Sequence, residues 1–332
     1  MEVTNNGRKI EYVLPFLTTI SAICLMLFSQ FVIAAIFVGF DIDYDVYNGT
    51  FSFAYSLICI PLLLFQIRIA KKLYADNKSG VLRDKMTSAQ YLPIVVIALG
   101  VIGMVTIYMV VVAYLSELTE VVEEEMEKYS ETVDRFSTIS KSSIPTIDNI
   151  LYYISTFIMV PIMEELVFRG IILGEMLKKY KPWIAILYSA LVFGLMHGIS
   201  VQIGYALLAG VIFGFVYWAT RSIYSTIAMH AIFNFFGGTL TYILEDFGVS
   251  EEIINTVLMH INSFCILMLA PMIIMFIILY LERKRIDFGD DKLLGGTIKF
   301  VKGDDFTNSQ EGTSSYDISN DNGDDSGDEV DS

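Results

Sequence analysis

The sequence predicts an all-α polytopic membrane protein with about eight transmembrane helices and both termini cytoplasmic. Two observations carry that fold class. Of 332 residues, 54% are hydrophobic, and mean hydropathy is +0.57, too apolar for an ordinary soluble enzyme. The apolar residues also come in long runs rather than alternating, as helices solvated by lipid require. A third observation, the sorting of loop charge described below, supports the count and orientation.

A helix needs roughly 20 apolar residues to cross the hydrocarbon core. Eight stretches approach that length: 12–39, 52–69, 91–115, 149–172, 182–198, 202–219, 223–244 and 261–282. The first is too long for a signal-peptide core and reads as a retained span. Cys24, Cys59 and Cys265 all fall within spans and read as buried thiols, with no disulfide framework.

Loop charge sorts by side. Arg8 and Lys9, the loop QIRIAKKLYADNKSGVLRDK, the EMLKKYK segment, Arg221 and ERKR are basic; FDIDYD, the 116–148 connector, GISVQ and EDFGVSEE are acidic or neutral. Basic loops face the cytoplasm, and eight spans with both termini inside satisfy every loop. The connector 116–148 reads as an amphipathic helix near the outer surface or, more plainly, a solvated one. Asn48 to Thr50 forms an NGT sequon in an outer loop, a glycan acceptor only where the host glycosylates and otherwise a turn.

The chain divides into a cytoplasmic N-terminal segment (1–11), a membrane domain (12–286) and an acidic tail (287–332). The formal net charge is −15, and the tail holds thirteen Asp or Glu against three Lys, about −10 of it. Such a segment buries too little apolar surface to order itself and reads as solvated and disordered.

The fourth span contains PIMEELVFRG, with Glu164, Glu165 and Arg169 inside it. A charge at mid-membrane costs on the order of 2.5–3.5 kcal/mol even on mild scales. Glu165 and Arg169 are four apart, so they share a helix face and can pair. Glu164 is turned about 100° away and needs a partner from another span. Of three histidines, His197 and His230 lie within or at the end of spans, and Asn234 is one turn from His230. The third, His260, reads as an interface residue. Pro161 is placed to kink the helix and aim Glu164 inward. Gly170/Gly174, Gly194/Gly198 and Gly210/Gly214 allow close helix approach.

A Glu, two His and an Asn fit three chemistries. A carboxylate in a partly dry pocket can activate water while His and Asn stabilise an oxyanion. The same set could hold Zn²⁺, although no HExxH occurs. Ion or proton transport also uses such groups but gives Asn234 no special reason.

Glu164-Glu165-x-x-x-Arg169, Phe193-x-x-x-His197 and His230-x-x-x-Asn234, in that order and in separate spans, resemble the three motifs of the CPBP intramembrane proteases, also called the ABI or type II CAAX prenyl endopeptidase family. The motif-bearing core covers about 150–240, with no departure at the motif positions. The resemblance implies that Glu164 and His197 activate water, His230 and Asn234 form an oxyanion hole, and Glu165, Arg169 and Phe193 support them. No cofactor is certain; zinc is the candidate ion, and the reading taken is that no metal is obligatory. The implied function is an intramembrane endopeptidase in a cell membrane, read as a bacterial plasma membrane. Its partners would be the bilayer and a membrane-associated peptide or protein, with no nucleic acid. The cleft is expected to open to the cytoplasm, with spans five and six forming a short hairpin whose tip lies below the outer surface. The alternatives are a non-catalytic immunity or peptide-binding factor and an ion-coupled transporter.

Overall fold

In the computed structural model the described residues are 3–73, 84–138, 145–198, 200–284, and the pairs 286–287 and 299–300. Helices dominate them. In chain order they are α1 (Val3–Gly39), α2 (Asn48–Leu73), α3 (Ser88–Ser116), α4 (Glu120–Thr138), α5 (146–176), α6 (Pro182–Leu195), α7 (Ser200–Thr220), α8 (Ile223–Asp246), α9 (Glu251–Leu267) and α10 (Leu269–Lys284). A two-residue strand pair, Ile286–Asp287 with Lys299–Phe300, follows. The rest of the expected acidic tail lies outside the described residues.

Among the described residues five helices are long and apolar enough to cross a membrane: Tyr12–Gly39, Asn48–Ala70, Ser88–Ser116, Ser200–Thr220 and Ile223–Asp246. Large apolar side chains face outward along the bundle, among them Phe28, Phe31, Leu57, Phe65, Leu92 and Leu267, a surface suited to lipid rather than water. The chain is therefore a multi-pass membrane protein. Helix α5, with three charges at its middle, is not among those five. The expected last span, 261–282, is broken: α9 and α10 meet at 46° and count as one crossing only if taken together. Pro271 is the physical reason, since it has no N–H for the carbonyl one turn back and its ring clashes there.

Cysteine placement also departs from expectation. Cys59 and Cys265 are buried, but Cys24 is exposed, on a peripheral helix whose outer face is apolar. The NGT sequon is the start of α2 rather than a free turn. Asp148, buried on the first turn of α5, accepts hydrogen bonds from the Gly49 N–H (2.8 Å), the Thr50 N–H (2.7 Å) and the Thr50 hydroxyl (2.6 Å). A Cβ on Gly49 would fall 2.0 Å from the Asp148 carbonyl oxygen, so only glycine allows that docking.

Helices α6 and α7 pack against each other, but their lengths are unequal: α7, with 21 residues, is long enough to cross a membrane. With 14 residues, α6 rises about 21 Å, less than the ~30 Å hydrocarbon core. Gly198 ends it in the left-handed region at φ 75°. Gly210 and Gly214 let the pair close: their Cβ atoms would meet Ala190 and Ile186 at 3.1 Å. At the tip, Ser200 donates to Glu125 of α4, and the carboxyl of Glu125 is held below its usual range by hydrogen bonds from Lys128 and Ser200. At the opposite end, Arg221 sits at φ 57° between α7 and α8. Its Nε bonds Asp84 Oδ2 at 2.8 Å, and its carbonyl accepts from the Asp84 N–H, which holds the turn.

The Asp148→Ala change removes three accepted hydrogen bonds and leaves buried donors behind, at an expected cost of about 1–3 kcal/mol. Thermal unfolding in detergent should fall clearly for Asp148→Ala and less for Thr50→Ala. An unchanged midpoint for Asp148→Ala would contradict the docking of α2 on α5.

Candidate active site

Three helical stretches widen from α to π geometry among the described residues: Ser155–Met159 and Leu166–Leu173 in α5, and Phe235–Thr239 in α8. Each closes with a bond five residues back, from Val160 N–H to Ser155 O, Gly174 N–H to Arg169 O and Leu240 N–H to Phe235 O. Such widenings free carbonyl groups and commonly lie at functional sites. Here they flank the candidate residues. Glu164 and Glu165 end the six-residue α-helical stretch between the first two, and Asn234 immediately precedes the third. Pro161 sits just after the first, so its missing N–H is absorbed by a wider turn instead of a sharp kink.

Glu165 and Arg169 are both fully buried. Their expected pairing is present: Arg169 Nη1 donates to Glu165 Oε1 at 2.8 Å. The guanidinium also lies over the rings of Phe193 (4.6 Å) and Phe213 (5.2 Å), and Nη2 reaches the Gly210 carbonyl at 3.5 Å. Ring faces carry partial negative charge and stabilise a desolvated cation.

The same Glu165 Oε1 lies 2.8 Å from His230 Nδ1. A carboxylate paired to an arginine only accepts, so Nδ1 carries a proton and donates it. The other nitrogen, Nε2, then faces Glu164 Oε2 at 3.5 Å. The Glu164 side chain is 18% exposed, whereas Glu165 is sealed. The residue left over by the helical pairing is thus the carboxylate with access to water, and its partner comes from another helix.

His197, at the end of α6, bonds the Phe193 carbonyl through Nδ1 at 2.8 Å. A carbonyl accepts, so Nδ1 donates and Nε2 keeps its lone pair. The Phe193 ring packs against both imidazoles, at centroid distances of 4.7 Å to His197 and 6.0 Å to His230. Glu164 and His197 share no hydrogen bond; the imidazole beside Glu164 is that of His230. Asn234 donates from Nδ2 to the Thr156 carbonyl at 2.9 Å, a group within the first π stretch. Thr156 also touches Thr239 through their hydroxyls. His260 is exposed on α9 and bonds its own helix at Thr256, away from the site.

Phe213, Thr156 and Gly210 complete the site and were not singled out for it in the sequence. Gly210 was visible only as half of a close-packing pair, and no local signal marks the other two.

A cavity of about 730 Å³ lies against Asn234. Thr156, Tyr205, Thr239 and Asn262 line it, and Met126 and Tyr129 of α4 close one side. It occupies the half of the bundle that carries α4 and the start of α7. The space forms where α4 folds back against α7.

As a metal site the arrangement fits poorly. Among the described residues no three His, Cys, Asp or Glu side chains are grouped to hold an ion, and Glu165 is committed to Arg169 and His230.

Residues 146–236, which contain all of these motif residues, match the family described as type II CAAX prenyl endopeptidase Rce1-like. A relative in Bacillus subtilis (strain 168), described as "Putative membrane peptidase YdiL", is 26% identical over 136 residues, which is 41% of this chain and 56% of the relative. The alignment thus spans just over half the length of that curated relative. No solved structure matches.

Arg169→Met would strand the buried Glu165 carboxylate, at an expected cost of about 3–5 kcal/mol. The double change Glu165→Gln with Arg169→Met should recover much of that loss, because neither charge then remains unpaired. Unfolding midpoints of the three proteins check this; an Arg169→Met protein as stable as the wild type would contradict the buried pair.

Proposed function

We propose that the chain is an intramembrane endopeptidase that hydrolyses a peptide bond in a membrane-associated peptide or protein, using water activated by Glu164. The observation that carries this reading is the pairing of an accessible Glu164 with an imidazole whose far nitrogen is fixed by a buried carboxylate–arginine pair. The Rce1-like match over the same residues supports it.

In the proposed reaction, water sits beside Glu164 Oε2, which takes its proton as the oxygen attacks the scissile carbonyl carbon. His197 Nε2, with its lone pair free, fits a second acceptor for that water, the role the family resemblance gives it. The tetrahedral intermediate carries an oxyanion. Donors to it would come from Asn234, whose amide has a second N–H beyond the one given to Thr156, and from His230. A lone pair on His230 Nε2 would face the Glu164 carboxylate unfavourably, so a proton belongs between them. Placed on Nε2, it makes His230 a donor with both nitrogens, and once Glu164 has taken the proton of the water the Nε2–H is released to the oxyanion. Collapse of the intermediate breaks the C–N bond, and the proton held by Glu164 passes to the leaving amine. The layout is taken as eight passes with both termini on the cytoplasmic face, on the strength of the basic loops, and the membrane as a bacterial plasma membrane, on the short loops and acidic tail.

Purified protein in lipid–detergent micelles, incubated with a library of quenched fluorogenic peptides, tests the roles. Glu164→Gln should lower cleavage by about 10²–10⁴-fold with an unchanged unfolding midpoint. Asn234→Ala should lower kcat by about 10²–10³-fold. Cleavage that survives Glu164→Gln would remove this mechanism. Verified metal removal should leave activity intact; loss of activity that zinc restores would show that an ion is required after all.

A further inference from the structure

The cavity beside Asn234 has two properties that packing does not explain. Among the described residues its lining contains no Asp, Glu, Lys, Arg or His, although it holds several hydroxyl and amide groups. Its wall also includes Gly237 and Gly238, adjacent residues in the π stretch of α8. Glycine inside a helix is unfavourable relative to alanine, and at Gly100, Gly103, Gly204 and Gly210 a close neighbour accounts for it. Here none does: a Cβ at either position meets no atom within 4 Å. What the two glycines provide is open space and bare backbone next to the candidate oxyanion donor.

We propose that this cavity binds an uncharged segment of the peptide substrate and that Gly237 and Gly238 set its width. The assignment rests on the endopeptidase reading for its connection to the chemistry. Hydroxyl and amide groups can hydrogen-bond a peptide backbone and polar uncharged side chains. A charged side chain would lose its water and find no counter-ion there. The class selected is a stretch of apolar, hydroxyl-bearing or amide-bearing residues. Because the cavity adjoins Asn234, such a segment would lie next to the bond being cut.

The test uses the full-length chain carrying Thr241→Cys, a cavity position, with the exposed Cys24 changed to alanine. In micelles it is labelled with a water-soluble maleimide in the presence of either of two short peptides of equal length. They differ only at the central positions, leucine and threonine in one, lysine and aspartate in the other. The uncharged peptide should slow labelling, and the charged one should need about tenfold or more higher concentration for equal protection. Adding Gly238→Leu should abolish protection without lowering the unfolding midpoint, and Glu164→Gln should preserve it. Equal protection by both peptides, protection by neither, or protection unaffected by Gly238→Leu would overturn the assignment. Cleavage is scored in parallel. Protection as expected with no cleavage of any peptide removes the endopeptidase reading and leaves a binding cavity. Glu164-dependent cleavage without protection removes the cavity assignment alone.

Discussion

The buried contact among Glu165, Arg169 and His230 is the constraint on which the rest of the site depends. One carboxylate oxygen receives both the guanidinium and the Nδ1–H, each at 2.8 Å. Burying such a pair costs several kcal/mol per ion before attraction offsets it, so the surroundings must be arranged around it. Phe193 from α6 and Phe213 from α7 cover the cation, and the Gly210 carbonyl lies beside it. In turn the pair ties α5 to α8 and sets which nitrogen of His230 looks toward Glu164. The division of labour between adjacent glutamates follows: one is sealed and structural, the other partly open and free to react.

The second constraint is backbone geometry. A π turn changes the angular position of every residue after it and leaves carbonyls short of their usual partners. The first π stretch of α5 presents the Thr156 carbonyl to Asn234, and that bond fixes one amide hydrogen while leaving the other for the cavity. The stretch in α8 turns the Gly237–Gly238 backbone toward the same space. Helix widening, rather than a loop, shapes this site, as expected where a membrane leaves no water to satisfy loose backbone.

Much of this was legible in the residue pattern. Helices appear where apolar runs predict them, because lipid forces backbone pairing within each segment. The Glu165–Arg169 pair follows from an i,i+4 spacing. That Glu164 must find a partner in another span follows from the absence of a nearby base. Which histidine supplies it does not follow, since the choice between His197 and His230 depends on how α6 and α8 pack. Phe213 and Thr156 carry no sequence mark, as aromatic and hydroxyl residues are common in such helices. The π stretches were invisible because apolar periodicity blurs when a helix is buried on most sides. The cavity was not legible in the sequence, because it depends on α4 folding back, a tertiary event.

The most direct test of this account is ¹⁵N NMR of the imidazole nitrogens in isotopically labelled protein. The chain has only three histidines, so His197→Gln and His260→Gln would assign the signals. The account predicts a protonated Nδ1 on His230, hydrogen-bonded to a carboxylate, with a signal that shifts in Glu165→Gln and not in a distant control such as Glu125→Gln. A bare Nδ1 on His230, indifferent to Glu165→Gln, would contradict it.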